Sequence, residues 1–170
     1  MTAINEPIFY TLYLDSSGDS GWCAPYGKSP VRYYVNAGLA LTDEAKLMAE
    51  KEVKDILEKY VDVSVVKYVY KIEIVYHDII HGYNAFSVLK HEDRLNLSNE
   101  PFCLFEKLKP VMFATVVDKF RLKERYGNVA YNPKELAVRA TIGRFSKFLE
   151  NQNCTGTVIM DREEASTTNA

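Results

Sequence analysis

The chain is poor in the residues that staple small secreted domains or build zinc sites. Its three cysteines, Cys23, Cys103 and Cys154, are odd in number, far apart and in no paired motif. That pattern argues against a disulfide framework or a zinc site and favours a reducing cytoplasm. Histidine is as scarce, at three residues. Apolar runs are of strand length and are broken by Lys, Asp or Tyr, so no membrane span is expected. Met1 to Pro7 has neither a basic region nor an apolar core and does not read as a signal peptide. Net charge is only -2, so the molecule as a whole is no electrostatic trap for nucleic acid. Gly18 and Gly21 lack the spacing of a dinucleotide or P-loop fingerprint, and no repeat or low-complexity segment is visible.

What remains is an ordinary globular composition, 47% hydrophobic and 26% charged over 170 residues. A chain of this size buries roughly 70% of its unfolded surface. A single domain is expected over residues 1–163, followed by a flexible tail, 164–170. Charge is uneven within it. Between Phe105 and Glu150 ten Lys and Arg face five acids, so that segment is locally about +5.

Ile8 to Leu14 is large and apolar on both alternating sets and reads as a strand covered on both faces. Ser16 to Pro30, with three glycines and two prolines, is a long connection. Val31 to Leu41 reads as a second strand, antiparallel to the first. Thr42 is a candidate cap for a helix in which Ala49, Val53, Ile56, Leu57 and Tyr60 share one face. Val61 to Tyr76 reads as strand, and Tyr83 to Asn96 as loop. A short helix from Ser98 or Asn99 to Leu108 ends at Pro110. Val111 to Val117 is a strand, and Lys119 to Tyr131 is expected to be exposed and mobile. Asn132-Pro133 opens a helix to about Glu150, and Thr157 to Met160 is the last strand. The whole predicts an α/β mixed sheet with flanking helices, its last two strands joined through a helix as a parallel crossover.

Three of these strands end in an acid: Asp15, Asp118 and Asp161. Sites in open α/β sheets form where strand carboxyl ends converge. Carboxylates held close together repel unless a cation lies between them, and Mg²⁺ or Mn²⁺ are the natural oxygen-seeking partners. Two such ions could drive phosphodiester hydrolysis. Asp19, in the loop after Asp15, could join the set. The competing explanation is local, because aspartate is common after strands as the start of an Asx-turn. His77 and His81 stand at i, i+4, but a His-Glu zinc hydrolase would need Glu where Asp78 stands, and no third histidine lies upstream. No cysteine has a basic neighbour suited to a nucleophile. Tyr33-Tyr34 and Tyr68-Val69-Tyr70 fit a core better than a base-stacking platform.

With these residues laid out, the chain resembles the domain-of-unknown-function family 3800, a prokaryotic group with a ribonuclease-H-like fold. The resemblance rests on Leu14-Asp15-Ser16-Ser17-Gly18-Asp19, on Tyr34 to Leu41, on Val116-Val117-Asp118-Lys119 and on Val158-Ile159-Met160-Asp161-Arg162. Glu73 and His77-Asp78-Ile79-Ile80 match more loosely. The resemblance implies a ribonuclease-H-like mixed sheet, cut short at the C-terminus, and a metal-dependent nuclease or hydrolase using Mg or Mn. Asp15 and Asp118 would be principal metal ligands, with Asp161, Glu73 and Asp19 adding to them. Lys119, Arg121, Lys123 and Arg125 would contact a nucleic acid backbone. Two departures favour an inactive binding or interaction module of the same fold. Ser16 stands where the family has Glu, and the chain ends soon after Asp161. An uncapped sheet edge also admits a homodimer.

Overall fold

The computed structural model describes residues 7–61 and 76–160. These residues fall into two compact units, one built from the chain on either side of residues 44–110 and one from Glu44–Pro110.

The first unit is a four-stranded sheet. Its strands are β1 (Phe9–Ser17), β2 (Tyr33–Thr42), β3 (Val111–Asp118) and β4 (Thr155–Met160), in the order β3-β2-β1-β4. β2 runs antiparallel to β1 and β3, and β4 runs parallel to β1. β1, β3 and β4 therefore point the same way, and their carboxyl ends share one edge. The expected antiparallel first pair is present. The last two strands are parallel and joined by a helix, as expected, but β2 and β1 lie between them. Between β3 and β4 run α4 (Lys119–Tyr126) and α5 (Pro133–Gln152).

α5 begins as the sequence predicts, with Asn132 accepting the Lys134 amide at 2.9 Å and Pro133 in the first turn. It buries Ala137, Thr141 and Phe145 at i, i+4 and i+8. Phe145 packs with Leu12, Leu14 and Ala40, and Ala137 packs with Tyr34 and Val117. Burying a side chain such as Phe145 or Leu12 contributes about 1.5–3 kcal/mol. Strand alternation puts Phe9, Tyr33, Met112, Val116 and Ile159 on the opposite face, and all five are exposed. Among the described residues α5 packs against one face and these five side chains of the other are exposed. Within β1, the strand that the sequence reads as covered on both faces, Thr11 is nevertheless buried on that second face.

The second unit is helical among the described residues: α1 (Asp43–Tyr60), α2 (Tyr76–His81) and α3 (His91–Leu108). Leu57 and Val61 meet Ile79, Phe86 and Leu97 in its core. α3 is longer than the sequence suggests and starts inside the segment read as loop. Lys90 takes extended backbone before it, Glu92 and Asp93 lie in its first turn, and Lys109 ends it in a left-handed turn. The strand expected over most of 61–76 lies outside the described residues.

Candidate functional site

The shared carboxyl edge of β1 and β3 is where the sequence places its site. Asp15 pairs with Ala37, Ala37 pairs with Ala114, and Asp118 pairs with Tyr33. Asp118 therefore lies four residues beyond the level of Asp15 and two strands across, about 13 Å along the sheet and about 10 Å sideways. Both point to the face away from α5, but no single ion spans that separation. Glu73 and Asp161 lie outside the described residues. Among the described residues no three His, Cys, Asp or Glu side chains are placed to hold a metal ion. The described acids do not make a fitting Mg or Mn cradle.

Asp118 is closed off from another direction. Arg32, just before β2, donates from Nε to both carboxylate oxygens at 3.1 Å and from Nη2 to Oδ2 at 2.6 Å. A guanidinium fork fits a carboxylate geometrically as well as electrostatically. Asp118 Oδ1 also accepts the Arg121 amide at 3.1 Å and so caps α4. The Arg32 hydrogen bonds, followed by that amide and the nearby positive charges, hold the Asp118 carboxyl below its ordinary range.

Asp19 has a different neighbour. Gly18, at φ +93°, turns the chain after β1 in a conformation that suits glycine. The Asp19 carboxylate then accepts the Ser29 hydroxyl at 2.7 Å and the Gly21 amide at 2.8 Å. Lys119 stands against both. Its side chain is 0% exposed, and its Nζ donates to Asp19 O at 3.0 Å and Ser29 Oγ at 2.9 Å, 3.5 Å from Asp19 Oδ1. The Ser29 hydroxyl is the main cause that lowers the Asp19 pKa, with Gly21 and Lys119 adding to it. Lys119 is thus an internal pin for the 18–30 loop and is shielded from any backbone phosphate.

Asp15 is exposed, and its Oδ1 accepts the amide of Ser16 at 2.7 Å. Ser16 projects to the opposite, α5-covered face, where its hydroxyl accepts Asn36 Nδ2 at 3.0 Å. The same Nδ2 lies 3.2 Å from Asp15 O. Asn36 is fully buried, and its Oδ1 has no hydrogen-bond partner among the described residues. Arg32, Ser29 and Asn36 were absent from the sequence-derived set. The one signal for Asn36 was a polar residue in the middle of an apolar strand, whereas Arg32 and Ser29 carried none that distinguishes them from other loop residues.

The other basic residues follow Lys119 on α4, which forms where the sequence suggested a mobile segment. Arg121 is 80% exposed. Lys123 Nζ sits 4.8 Å from the Trp22 ring centre, and Arg125 lies 5.4 Å from that of Tyr126. Arg32 also lies over Tyr33 and Phe120. A cavity of about 380 Å³, lined by Cys23, Ala24, Ser29, Pro30, Arg32 and Phe120, opens beside the ion pair.

Compared with models of protein families, with curated proteins and with solved structures, the chain finds no match in any of the three. Among the described residues no helix is long and apolar enough to cross a membrane.

Proposed function

We propose that this chain is a non-catalytic binding module with a ribonuclease-H-like sheet, and that it holds single-stranded nucleic acid through α4 and the loop packed beside it. The observation that carries the reading is the Arg32 fork on Asp118. A carboxylate already bidentate to a guanidinium and capping a helix is a poor ligand for Mg²⁺ or Mn²⁺, which would have to displace both. The resemblance to family 3800 supports the architecture, as do three strands running one way with one against them. Its described motif acids, Asp15, Asp19 and Asp118, however, meet basic side chains, a hydroxyl and amides in place of each other. The partner follows from the surface: Arg121 and Arg125 share one side of α4, Arg125 against Tyr126, and Lys123 lies on the other side against Trp22. Cations interleaved with aromatic rings suit a flexible phosphate backbone with unstacked bases and do not read sequence.

A labelled single-stranded oligonucleotide titrated at several salt concentrations tests this. Changing Arg121, Lys123 and Arg125 to Gln should weaken binding for every sequence alike. The log–log salt slope should become shallower by about 0.7 for each phosphate that is no longer neutralised. Mn²⁺-dependent cleavage that disappears in Asp15→Asn would instead establish the nuclease reading. Binding that is unchanged in the triple variant would remove the α4 surface from the reading.

A further inference from the structure

A different pair of side chains, in the helical unit, is arranged for a ligand that the acidic edge does not accommodate. α2 is short and anchored by Ile79, which is 1% exposed and packs into the core with Phe86 and Leu97. His77 and His81 lie two residues to either side of Ile79, so they share the outward face of the turn. Both are exposed, and their ring centres are 4.5 Å apart. Two imidazoles bound to one metal at about 2.0–2.1 Å place each ring centre about 3.2 Å from the ion. At angles between square-planar and tetrahedral, the ring centres then lie about 4.5–5.2 Å apart. The two rings already stand at the near end of that range.

Their surroundings fit the same role. Asp78 Oδ1 lies 3.5 Å from His77 Nδ1, while its Oδ2 accepts the side-chain Nδ2 of Asn84 at 2.6 Å. That separation is longer than a hydrogen bond, but it places the carboxylate beside one ring nitrogen. Closing the contact would orient the imidazole and make the other nitrogen a better donor, as behind metal-bound histidines. Asn84 sits in a left-handed turn at φ +52°, and the Tyr83 amide donates to Asp78 O at 2.9 Å, so the acid is held in place. Tyr83 packs against both rings.

We infer that His77 and His81 form a two-imidazole chelating site for a late first-row divalent ion of the Ni²⁺, Cu²⁺ or Zn²⁺ type, with Asp78 orienting His77 and solvent completing the coordination. Nitrogen ligands select such ions over Mg²⁺ and Ca²⁺. Mg²⁺ in excess therefore leaves the bound ion in place.

The test uses the full chain with Cys103 and Cys154 alkylated, so that thiols do not compete, and Ni²⁺ as the probe in calorimetric titration. One equivalent should bind. His77→Ala and His81→Ala should each weaken binding at least tenfold, and Asp78→Asn about tenfold. His91→Ala should bind as the parent does. Paramagnetic broadening by Ni²⁺ should reach the ring protons of His77 and His81 before those of His91, a readout that needs no variant to fold. The inference is overturned if no saturable binding occurs. It is equally overturned if either single alanine variant binds like the parent, if His91 broadens first, or if Asp15→Asn removes the site.

Discussion

At the end of β3, Asp118 accepts a forked guanidinium from Arg32 and caps the next helix. Near the end of β1, Asp15 is exposed and has the amide of its own neighbour as its one hydrogen-bond partner among the described residues. Both acids follow an apolar strand, and both lie on the same face and edge of the sheet. The difference comes from what each strand runs into. β3 enters α4 directly, beside the residues that precede β2, so an arginine 86 positions away meets the carboxylate. β1 enters a Gly18 turn that carries the chain off toward Ser29 and the buried Lys119. A strand-end acid is therefore not a site in itself. Its chemistry is set by the segment folded back against it.

The largest expected effect at this edge comes from Lys119, the pin between the two ends. Lys119→Ala removes a fully buried side chain and the donors that hold Asp19 O and Ser29 Oγ. It should lower unfolding free energy by about 2–4 kcal/mol, read by urea or thermal melting. A variant within about 0.5 kcal/mol of the parent would show that the 18–30 loop does not depend on the pin.

Asp118 comes next. Asp118→Ala loses both the cap and the ion pair, and the cap alone contributes about 1 kcal/mol. Asp118→Asn keeps a capping oxygen and loses the charge, so it should be the milder change in the same melts. Equal losses would mean that the Arg32 fork adds nothing to the cap.

The same pair gives a pH signature. Asp118, through Arg32 above all, and Asp19, through Ser29 above all, titrate below the ordinary value of 3.8 in the folded chain. Between the folded and unfolded values the unfolded chain binds more protons, so acid weakens folding there. Their contribution is complete above the unfolded value and lost as pH falls through the folded one. The stability gap between parent and Asp118→Asn should hold steady near neutrality and narrow below about pH 4. A gap that widens in acid would contradict the assignment.

The smallest effect belongs to Asp15. Asp15→Asn should shift stability by no more than about 0.5 kcal/mol, because the group is exposed and its one partner among the described residues is a local amide. A loss of about 2 kcal/mol or more would show that Asp15 has a partner of the kind Asp118 has.

Much of the architecture was legible from local pattern. The Asn132-Pro133 cap, the strand before Asp118 and the helix through Ile56 and Leu57 follow from spacing and capping chemistry, which act over a few residues. The face of α5 does not: its apolar residues suggest Leu136, Ala140, Gly143, Phe148 and Leu149 as the inner line, whereas Ala137, Thr141 and Phe145 are buried and Gly143 is exposed. The start of α3 is hidden in the sequence because its first turns are polar, and helix stability there comes from packing Leu97 into a core. α4 does not show in the sequence because a basic, polar stretch has no apolar period of its own. Burying Lys119 and packing Leu122 beside Tyr34 supply what the pattern lacks.

The candidate site divides along the same line. The sequence by itself determined that acids stand at strand ends, that two histidines stand four residues apart, and that cations cluster after Asp118. Each of these is a matter of spacing along a few residues. Only the tertiary structure decided that Asp118 meets Arg32, that Asp19 meets Lys119 and that Asp15 meets neither. Those pairings join residues 86 and 100 positions apart, through a strand order and register in which a four-residue offset separates two acids that look equivalent in the chain. Strand alternation fixes which face a side chain takes, but not how far along a neighbouring strand it will stand.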